Sequence, residues 1–500
     1  MSDIRRKAWR PLVVGLLIAV TVIAGWPQAA TAAEKEQPAV YVTLWFDTED
    51  YLLPADDDAT LRLAEFLTKE GVRATFKLVG EKARVLQQRK RYDVIEALKK
   101  HEIGYHTDFH SVQPTIALFL SPLGWDDGVA EFDRRERKGF DDLERIFGQK
   151  PSCYGQPGSS WGPQVFGALR QWGVPVYLDA GSHVELDGKP FWYGGVLNLY
   201  ALRYTLRTGL AKSADLEAAK APLREAYDAL LGEGGGVISI YYHPCEFVHR
   251  EFWDGVNFRS GANPPRAQWK IPPQKSAEET ATAFANFEGY IRYLKSFPRV
   301  RFITALDAVE LYRDRPRVQP DLADKVTPAI SFIETADGSL APSEILQVLN
   351  WQVIDRATGG ETTPPPWKGT PFGPTSAPPA LEEDLTVPME QFVRTAQDVD
   401  DYMRRHRRVP NAVWLGSQPV SPERYLFALA EVLRQDRLPE SVTFDADTDV
   451  RLATERYVSD DQPKLWGWVI FPPEFRAPEM MQLAKRQAWT LKPALLRRDP

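Results

Sequence analysis

Among its 500 residues the sequence has only two cysteines, Cys153 and Cys245. A chain of this length can bury a large core and does not need a disulfide framework. Whether the two cysteines pair or remain buried thiols stays open from the sequence. The sequence also lacks a basic stripe, because its net charge of −7 is spread along the chain. Nucleic acid is therefore not expected as a partner.

The length and composition predict a globular protein of two or three domains, with 43% hydrophobic and 26% charged residues. Residues 1–33 form a separate segment: basic residues at 5–10, an apolar run at 11–25 and Ala-Thr-Ala at 30–32. This order is typical of a secretory signal peptide. An uncleaved membrane anchor is the alternative, and only in that case is the membrane a partner. Both interpretations predict an exported protein.

From residue 40 to 312, short apolar strands alternate with amphipathic helices, a pattern that predicts a parallel α/β architecture. The strand-like runs are VYVTLWF, VRATFKLVG, EIGYH, VPVYLDA, GGVISIYYH and RVRFITA. The alternation indicates a barrel of strands with helices outside, in which functional side chains gather at the carboxyl ends of the strands. Asp47, His106, Asp179 and His243 all follow such strands. They are expected on one rim.

Two of these strand ends carry metal-binding chemistry. His106 and His110 are four residues apart, a spacing that places two imidazoles on one face of a helical turn. Asp47 and Glu49 are two residues apart at a strand end and are expected to point to the same side. Imidazole nitrogen with carboxylate oxygen favours a divalent metal, zinc first, with cobalt, nickel or manganese as alternatives. One carboxylate would bind the metal and the other would act as a general base.

Two further residues near these strand ends have alternative interpretations. His243 ends the apolar run ISIYY and is a candidate general acid for a leaving group, or else a hydrogen-bonded core histidine. Asp108, between the two metal-binding histidines, could accept a hydrogen bond from an imidazole N–H or begin a helix.

Five segments, in order, resemble polysaccharide deacetylases of the NodB-homology type (carbohydrate esterase family 4): TLWFDTED, GVRATFKLVGEKA, HEIGYHTDFH, VISIYYHP and RFITALDAVELY. The resemblance covers residues 38–313. It implies a distorted (β/α)7 barrel in which a metal activates water to attack an N-acetyl group on a sugar. The implied roles are base for Asp47, metal ligands for His106 and His110, and acid for His243. The implied substrate is an N-acetylated polysaccharide such as peptidoglycan, a chitin-like glycan or an exopolysaccharide.

The chain departs from the family pattern in two places. Thr48 replaces the second of two adjacent aspartates, so Glu49 is expected as the third ligand, with Asp50 as the alternative. The segment SCYGQPGSSW lacks the arginine that steadies the base in the family. Within it, a backbone N–H near Gly158 or Ser159 is a candidate oxyanion donor, and Trp161 is a candidate pocket wall.

A lysine could compensate for the missing arginine. Lys77 lies inside an apolar strand, and we hypothesise that it stands near Asp47. A surface lysine with a buried stem is the alternative. Asp179, which loosely matches a further family motif, is expected to support the site by contacting one of its residues and not the metal itself.

Beyond residue 313 the character of the sequence changes. Residues 314–388 contain a helical pattern at 342–355 and a Pro-rich stretch at 361–388 typical of a linker. Residues 389–500 are predicted to be a mainly helical accessory region, and its tail at 441–500 shows no assignable chemistry. Residues 389–434 resemble pseudomurein-binding repeats, which implies a glycan-binding module; a small helical domain without a ligand is the alternative.

Together, the sequence predicts an exported, metal-dependent carbohydrate N-deacetylase. A related metal-dependent amide hydrolase is one alternative. The other is a glycan-binding protein of the cell envelope with impaired catalysis, which the missing arginine favours.

Overall fold

The structure, a computed structural model, describes residues 38–313, 321–335, 337–360, 369–378 and 380–497. The predicted signal peptide and residues 361–368 of the predicted linker lie outside these ranges. Residues 38–497 form one compact unit. The predicted domain boundaries at 313 and 388 stay predictions.

The strands, in chain order, are β1 (Val40–Thr48), β2 (Thr75–Leu78), β3 (Glu102–Tyr105), β4 (Cys153–Tyr154), β5 (Val176–Leu178), β6 (Phe191–Tyr193), β7 (Val196–Leu199), β8 (Gly236–Tyr242), β9 (Val300–Ile303), β10 (Ala329–Ile330), β11 (Ile333–Thr335), β12 (Gly338–Leu340), β13 (Leu385–Pro388), β14 (Val413–Leu415), β15 (Gln418–Val420), β16 (Ser441–Phe444), β17 (Arg451–Leu452) and β18 (Lys492–Pro493). The α-helices are α1 (Pro54–Lys69), α2 (Gly80–Gln88), α3 (Tyr92–Leu98), α4 (Ile116–Leu120), α5 (Trp125–Phe147), α6 (Val165–Trp172), α7 (Asp215–Gly232), α8 (Trp253–Asn257), α9 (Ala277–Lys295), α10 (Ala305–Leu311), α11 (Pro342–Ala357), α12 (Met389–His406), α13 (Pro422–Leu433) and α14 (Pro478–Arg486).

Strands β1 to β9 and β18 form a single curled sheet. On one side, β1 pairs in parallel with β8; on the other, its first half pairs with β9 and its second half with β2. The sheet continues from β2 through β3, β4, β5, β7 and β6 to β18. Just beyond β7, Thr205 bridges to Ser239 of β8, which joins the two sides of the sheet. The predicted α/β barrel architecture is thereby confirmed.

The central strand β1 is buried on both faces, as parallel strands between two apolar layers are. Val42, Leu44 and Phe46 belong to the core between the sheet and its helices. Trp45 belongs to a second apolar cluster, which it shares with Cys153 of β4. Because side chains alternate along a strand, Asp47 falls on the Trp45 face. This register brings the Asp47 carboxylate to the inner side of the curled sheet.

The C-terminal region is mainly helical, as predicted, with α11 packed against α12 and α13. Its last strand, β18, pairs antiparallel with β6 and so extends the barrel sheet. Lys492 of this strand makes a buried ion pair with Glu344 of α11. The barrel and the C-terminal region therefore share a sheet and a core. Within the described residues, both cysteines are buried free thiols, and no helix has the length and apolarity needed to span a membrane.

Candidate metal centre

Glu49, His106 and His110 come together where β1 and β3 end. All three side chains are buried, and one ligand atom from each lies within 4.8 Å of the other two. Glu49 Oε2 is 2.7 Å from His110 Nε2 and 3.8 Å from His106 Nε2. The chain thus supplies two imidazole nitrogens and a carboxylate oxygen, a donor set suited to a catalytic divalent metal.

Residues 106–110 do not form a helical turn, so the predicted placement of the two histidines on one face of such a turn is wrong. Thr107 and His110 instead adopt positive φ angles of 68° and 59°. Such angles are uncommon for residues other than glycine, and they concentrate at functional sites. The left-handed backbone of this loop brings the two imidazoles together.

The surroundings of the two imidazoles fit metal binding. The His106 Nδ1–H donates to the Gly155 carbonyl at 2.9 Å, and His110 Nδ1 lies 2.6 Å from Ser111 Oγ. These contacts leave the Nε2 atoms for the site and fix the ring orientations. Among the described residues, His106 Nε2 and Glu49 Oε1 have no hydrogen-bond partner although both are buried, an unfavourable state that a bound cation would relieve. The residues present therefore fit a divalent metal such as zinc.

Asp47, His106 and Asp179 form a second close cluster. This one already holds a cation, because Lys77 Nζ lies 2.9 Å from Asp47 Oδ1 and 2.7 Å from Asp179 Oδ2. Lys77 also donates to the Leu178 carbonyl and lies over the Trp45 ring. The expected proximity of Lys77 to Asp47 is thus present, and Asp179 completes a buried triad of two carboxylates and one ammonium.

The two carboxyl groups of the triad have shifted pKa values, in opposite directions. Burial alone would raise the pKa of Asp47, but the charges of His106 and Lys77 outweigh it and hold this pKa below its ordinary value. Burial raises the pKa of Asp179 to about 7 despite Lys77, since Asp47 is a second negative charge nearby. Asp47 is therefore the ionised member, as a general base must be.

His243 lies near the Oδ2 atom of Asp47, whereas Lys77 contacts its Oδ1 atom. Its Nε2 is 3.7 Å from Asp47 Oδ2, and its Nδ1 is 3.1 Å from Glu246 Oε1. Burial alone would lower the pKa of His243, but the hydrogen bond and charge of Glu246 raise it to about 9. Glu246 in turn pairs with Arg207. His243 is thus held protonated at neutral pH, as a general acid requires, and sequence reasoning missed Glu246.

Glu49, His110 and His243 open into a cavity of about 390 Å³. Gly158, whose backbone N–H is a candidate oxyanion donor, lines this cavity. The other lining residues are Glu251, Phe252, Asp254, Gly255, Arg259, Trp468 and Val469. Sequence reasoning assigned none of these seven to the site. The metal cluster therefore has access to a ligand-sized space. Two residues that line it, Trp468 and Val469, belong to the C-terminal tail.

Three predicted site residues take other positions. Trp161 is not a pocket wall: it is fully buried and stacks on His183. The Asp108 carboxylate accepts a hydrogen bond from Arg84 at 2.7 Å. The Nδ1 atoms of His106 and His110 contact the Gly155 carbonyl and Ser111 Oγ instead. Asp50 accepts from the Leu52 N–H and lies 3.1 Å from His249, outside the Glu49 cluster. Glu49 is the carboxylate that the structure places with the histidines.

Comparison with known proteins gives matches only among solved structures. No protein-family profile matches the chain, and no curated protein matches it. A structure described as a polysaccharide deacetylase from Mycobacterium smegmatis is 17% identical with a TM-score of 0.35, over 58% of this chain and 97% of that one. A family 4 acetyl xylan esterase from Clostridium thermocellum, in complex with cobalt, is 16% identical with a TM-score of 0.29, over 55% and 92%.

The allantoinase Puue is 14% identical with a TM-score of 0.37, over 59% of this chain and all of that one. Polysaccharide deacetylases are thus among the solved structures that the chain is similar to. No match was found for the pseudomurein-repeat-like segment. At these identities and TM-scores the likenesses do not establish an activity for this chain.

Proposed function

We propose that the chain is an exported, metal-dependent deacetylase that removes N-acetyl groups from a polysaccharide of the cell envelope or its surroundings. The observation that carries the proposal is the close arrangement of a base, a three-residue metal cluster and an acid, of which Glu49, His110 and His243 line one cavity. Asp47 Oδ2 and His243 Nε2 lie 3.7 Å apart. Glu49, two residues after Asp47, forms the metal cluster with His106 and His110. Metal-dependent hydrolysis of an amide uses these three functions together.

Each side chain has a defined task in this reaction. Glu49, His106 and His110 would hold the metal, which when bound supplies Lewis-acid polarisation of the acyl carbonyl and a more acidic water. Asp47, kept ionised by Lys77, accepts a proton from the attacking water. His243 then donates its Nε2 proton to the nitrogen as the C–N bond breaks. The water oxygen leaves in acetate, and the sugar leaves as the free amine.

The test is acetate release from N-acetylglucosamine oligomers and from peptidoglycan. Mature protein is stripped of metal, and zinc or cobalt is added back. We expect release only with added metal, and we expect the Asp47→Asn variant to be inactive because it lacks a proton acceptor. Stoichiometric metal with no release from either glycan would contradict the proposal. It would instead favour the glycan-binding alternative or an amide hydrolase with another substrate.

The charge of Glu246 is expected to set the alkaline limit of this activity. The reaction needs protonated His243, so kcat/KM should fall as the pH rises through the His243 pKa of about 9. Removing a negative charge from beside an imidazolium favours the neutral imidazole and lowers this pKa. The Glu246→Gln variant should therefore lose activity at a pH lower by roughly one unit or more.

The measurement is the pH dependence of kcat/KM between pH 6 and pH 10. Glu217→Gln is the matched control, because Glu217 is exposed in α7 and pairs only with Lys220 among its described contacts. Its profile should match that of the wild type. An alkaline limit that stays in place in Glu246→Gln would rule out Glu246 as the residue that keeps His243 protonated.

A further inference from the structure

Trp468 reaches the catalytic cavity from the tail of the chain, a region to which the sequence assigned no chemistry. Its backbone N–H donates to Ser159 Oγ at 3.2 Å, and its Nε1–H donates to Asp254 Oδ2 at 2.7 Å. One contact fixes the backbone on the loop after β4, and the other fixes the indole plane on α8. The side chain is thus held at both ends before any ligand arrives.

The Trp468 ring also stands directly beside the metal cluster. It meets the His110 ring edge to face, with centroids 5.3 Å apart and an interplanar angle of 85°. Gly158 also lies against the ring, and a Cβ added to it would come within 2.3 Å of the indole. Gly158 also has a positive φ of 52°, so a side chain is disfavoured there for two reasons. The absence of a side chain at residue 158 makes room for the indole.

The lining of the cavity combines apolar and polar residues. Trp468, Val469 and Phe252 supply apolar surface, and residues Val469 and Phe252 are 45% and 36% exposed. Glu49, His110, His243 and Asp254 supply the polar groups. A pyranose ring presents C–H faces together with hydroxyl and amide edges, and it matches such a mixed lining. A preorganised aromatic wall binds at low entropic cost, because few side-chain rotations remain to be frozen.

Resting on the proposed function, we propose that Trp468 is a substrate-binding residue and that its indole packs against the sugar ring that carries the scissile acetamide. The C-terminal tail is then part of the active site. The contact is made to substrate and transition state alike, so its loss should raise KM and leave kcat nearly unchanged.

The experiment measures kcat and KM of the full-length, zinc-loaded protein with the N-acetylglucosamine tetramer. The variants are Trp468→Ala and Trp468→Phe, with Trp414→Ala as control because Trp414 is 59% exposed in β14, outside the cavity. In Trp468→Ala we expect KM to rise about tenfold, the loss of one aromatic contact, with kcat within a factor of about three. Trp468→Phe should recover part of the affinity, and Trp414→Ala should resemble wild type. Zinc content is measured for each protein.

An unchanged KM in folded, zinc-loaded Trp468→Ala would overturn the inference. So would a parallel loss of zinc and kcat, which would show that the ring only supports His110. Wild-type protein without turnover would be a failure of the proposed function and is told apart by calorimetry with the same tetramer. In that case, weaker binding by Trp468→Ala than by wild type supports the inference, and equal or absent binding overturns it.

Discussion

Replacing His106 by alanine is expected to abolish stoichiometric zinc binding and to lower kcat/KM for acetate release by about 10³-fold or more, since a catalytic metal supplies several kcal/mol of transition-state stabilisation. The change removes one of three ligands and leaves Glu49 and His110, which already contact each other at 2.7 Å. Two ligands do not complete a catalytic zinc site. The measurements are zinc per chain after dialysis and the initial rate of acetate release.

The control is His406→Ala, because His406 is exposed at the end of α12 and belongs to neither cluster of metal-ligating side chains. It should keep both zinc and rate. Thermal unfolding with and without a chelator separates metal loss from misfolding: a chelator should destabilise the wild-type protein and leave His106→Ala unaffected. A His106→Ala protein with one zinc per chain and normal turnover would place the metal elsewhere.

The barrel could be predicted because its strands carry their pattern locally. In β1, apolar residues fill both faces and Asp47 ends the inward one, so its position follows from the alternation alone. Strand β4 could not be found this way, because two residues cannot show a period. The β6–β7 hairpin was missed although the sequence signal, the pair Gly194-Gly195, was present. Both glycines have positive φ, as a two-residue hairpin turn requires.

The site was predictable to the extent that its residues lie at strand ends. Lys77 was recognised because a lysine inside an apolar strand needs a buried partner. Glu246 follows His243 by three residues, but its contact depends on a short 3₁₀ turn that the sequence does not mark strongly. Trp468 lies far along the chain, and its approach to His110 depends on how the tail packs on the barrel. Contacts of this kind are set by tertiary packing, which no local pattern reports.

Replacing Lys77 by methionine is expected to destabilise the fold by roughly 3–5 kcal/mol and to reduce kcat, because it leaves Asp47 and Asp179 buried without their shared cation. Lys77 is fully buried and methionine has a similar length, so the loss reports the charge more than the packing. Without the ammonium, the pKa of both carboxyl groups should rise, and Asp47 would be a less ionised base at neutral pH.

The pH dependence distinguishes this electrostatic cause from a packing defect. A carboxyl group whose folded-state pKa is raised contributes stability that is present below its unfolded pKa and is lost as the pH rises through its folded pKa. Asp179 already has a pKa of about 7 with Lys77 in place, and the variant should move it higher. Urea unfolding should therefore show a larger deficit for Lys77→Met at pH 8.5 than at pH 5.5.

The double variant Lys77→Met/Asp179→Asn tests whether the triad acts as a unit. Asp179→Asn removes one of the two uncompensated charges, so in the Lys77→Met background it should restore part of the stability at pH 8.5. It should not restore kcat, because the ammonium that keeps Asp47 ionised is still missing. The stability losses of Lys77→Met and of Asp179→Asn could instead add up in the double variant, with the Lys77→Met loss equal at both pH values. That result would show that Lys77 only fills space. The base would then need other cations nearby, and the arrangement offers protonated His243, 3.7 Å from Asp47, and a metal held by Glu49, His106 and His110.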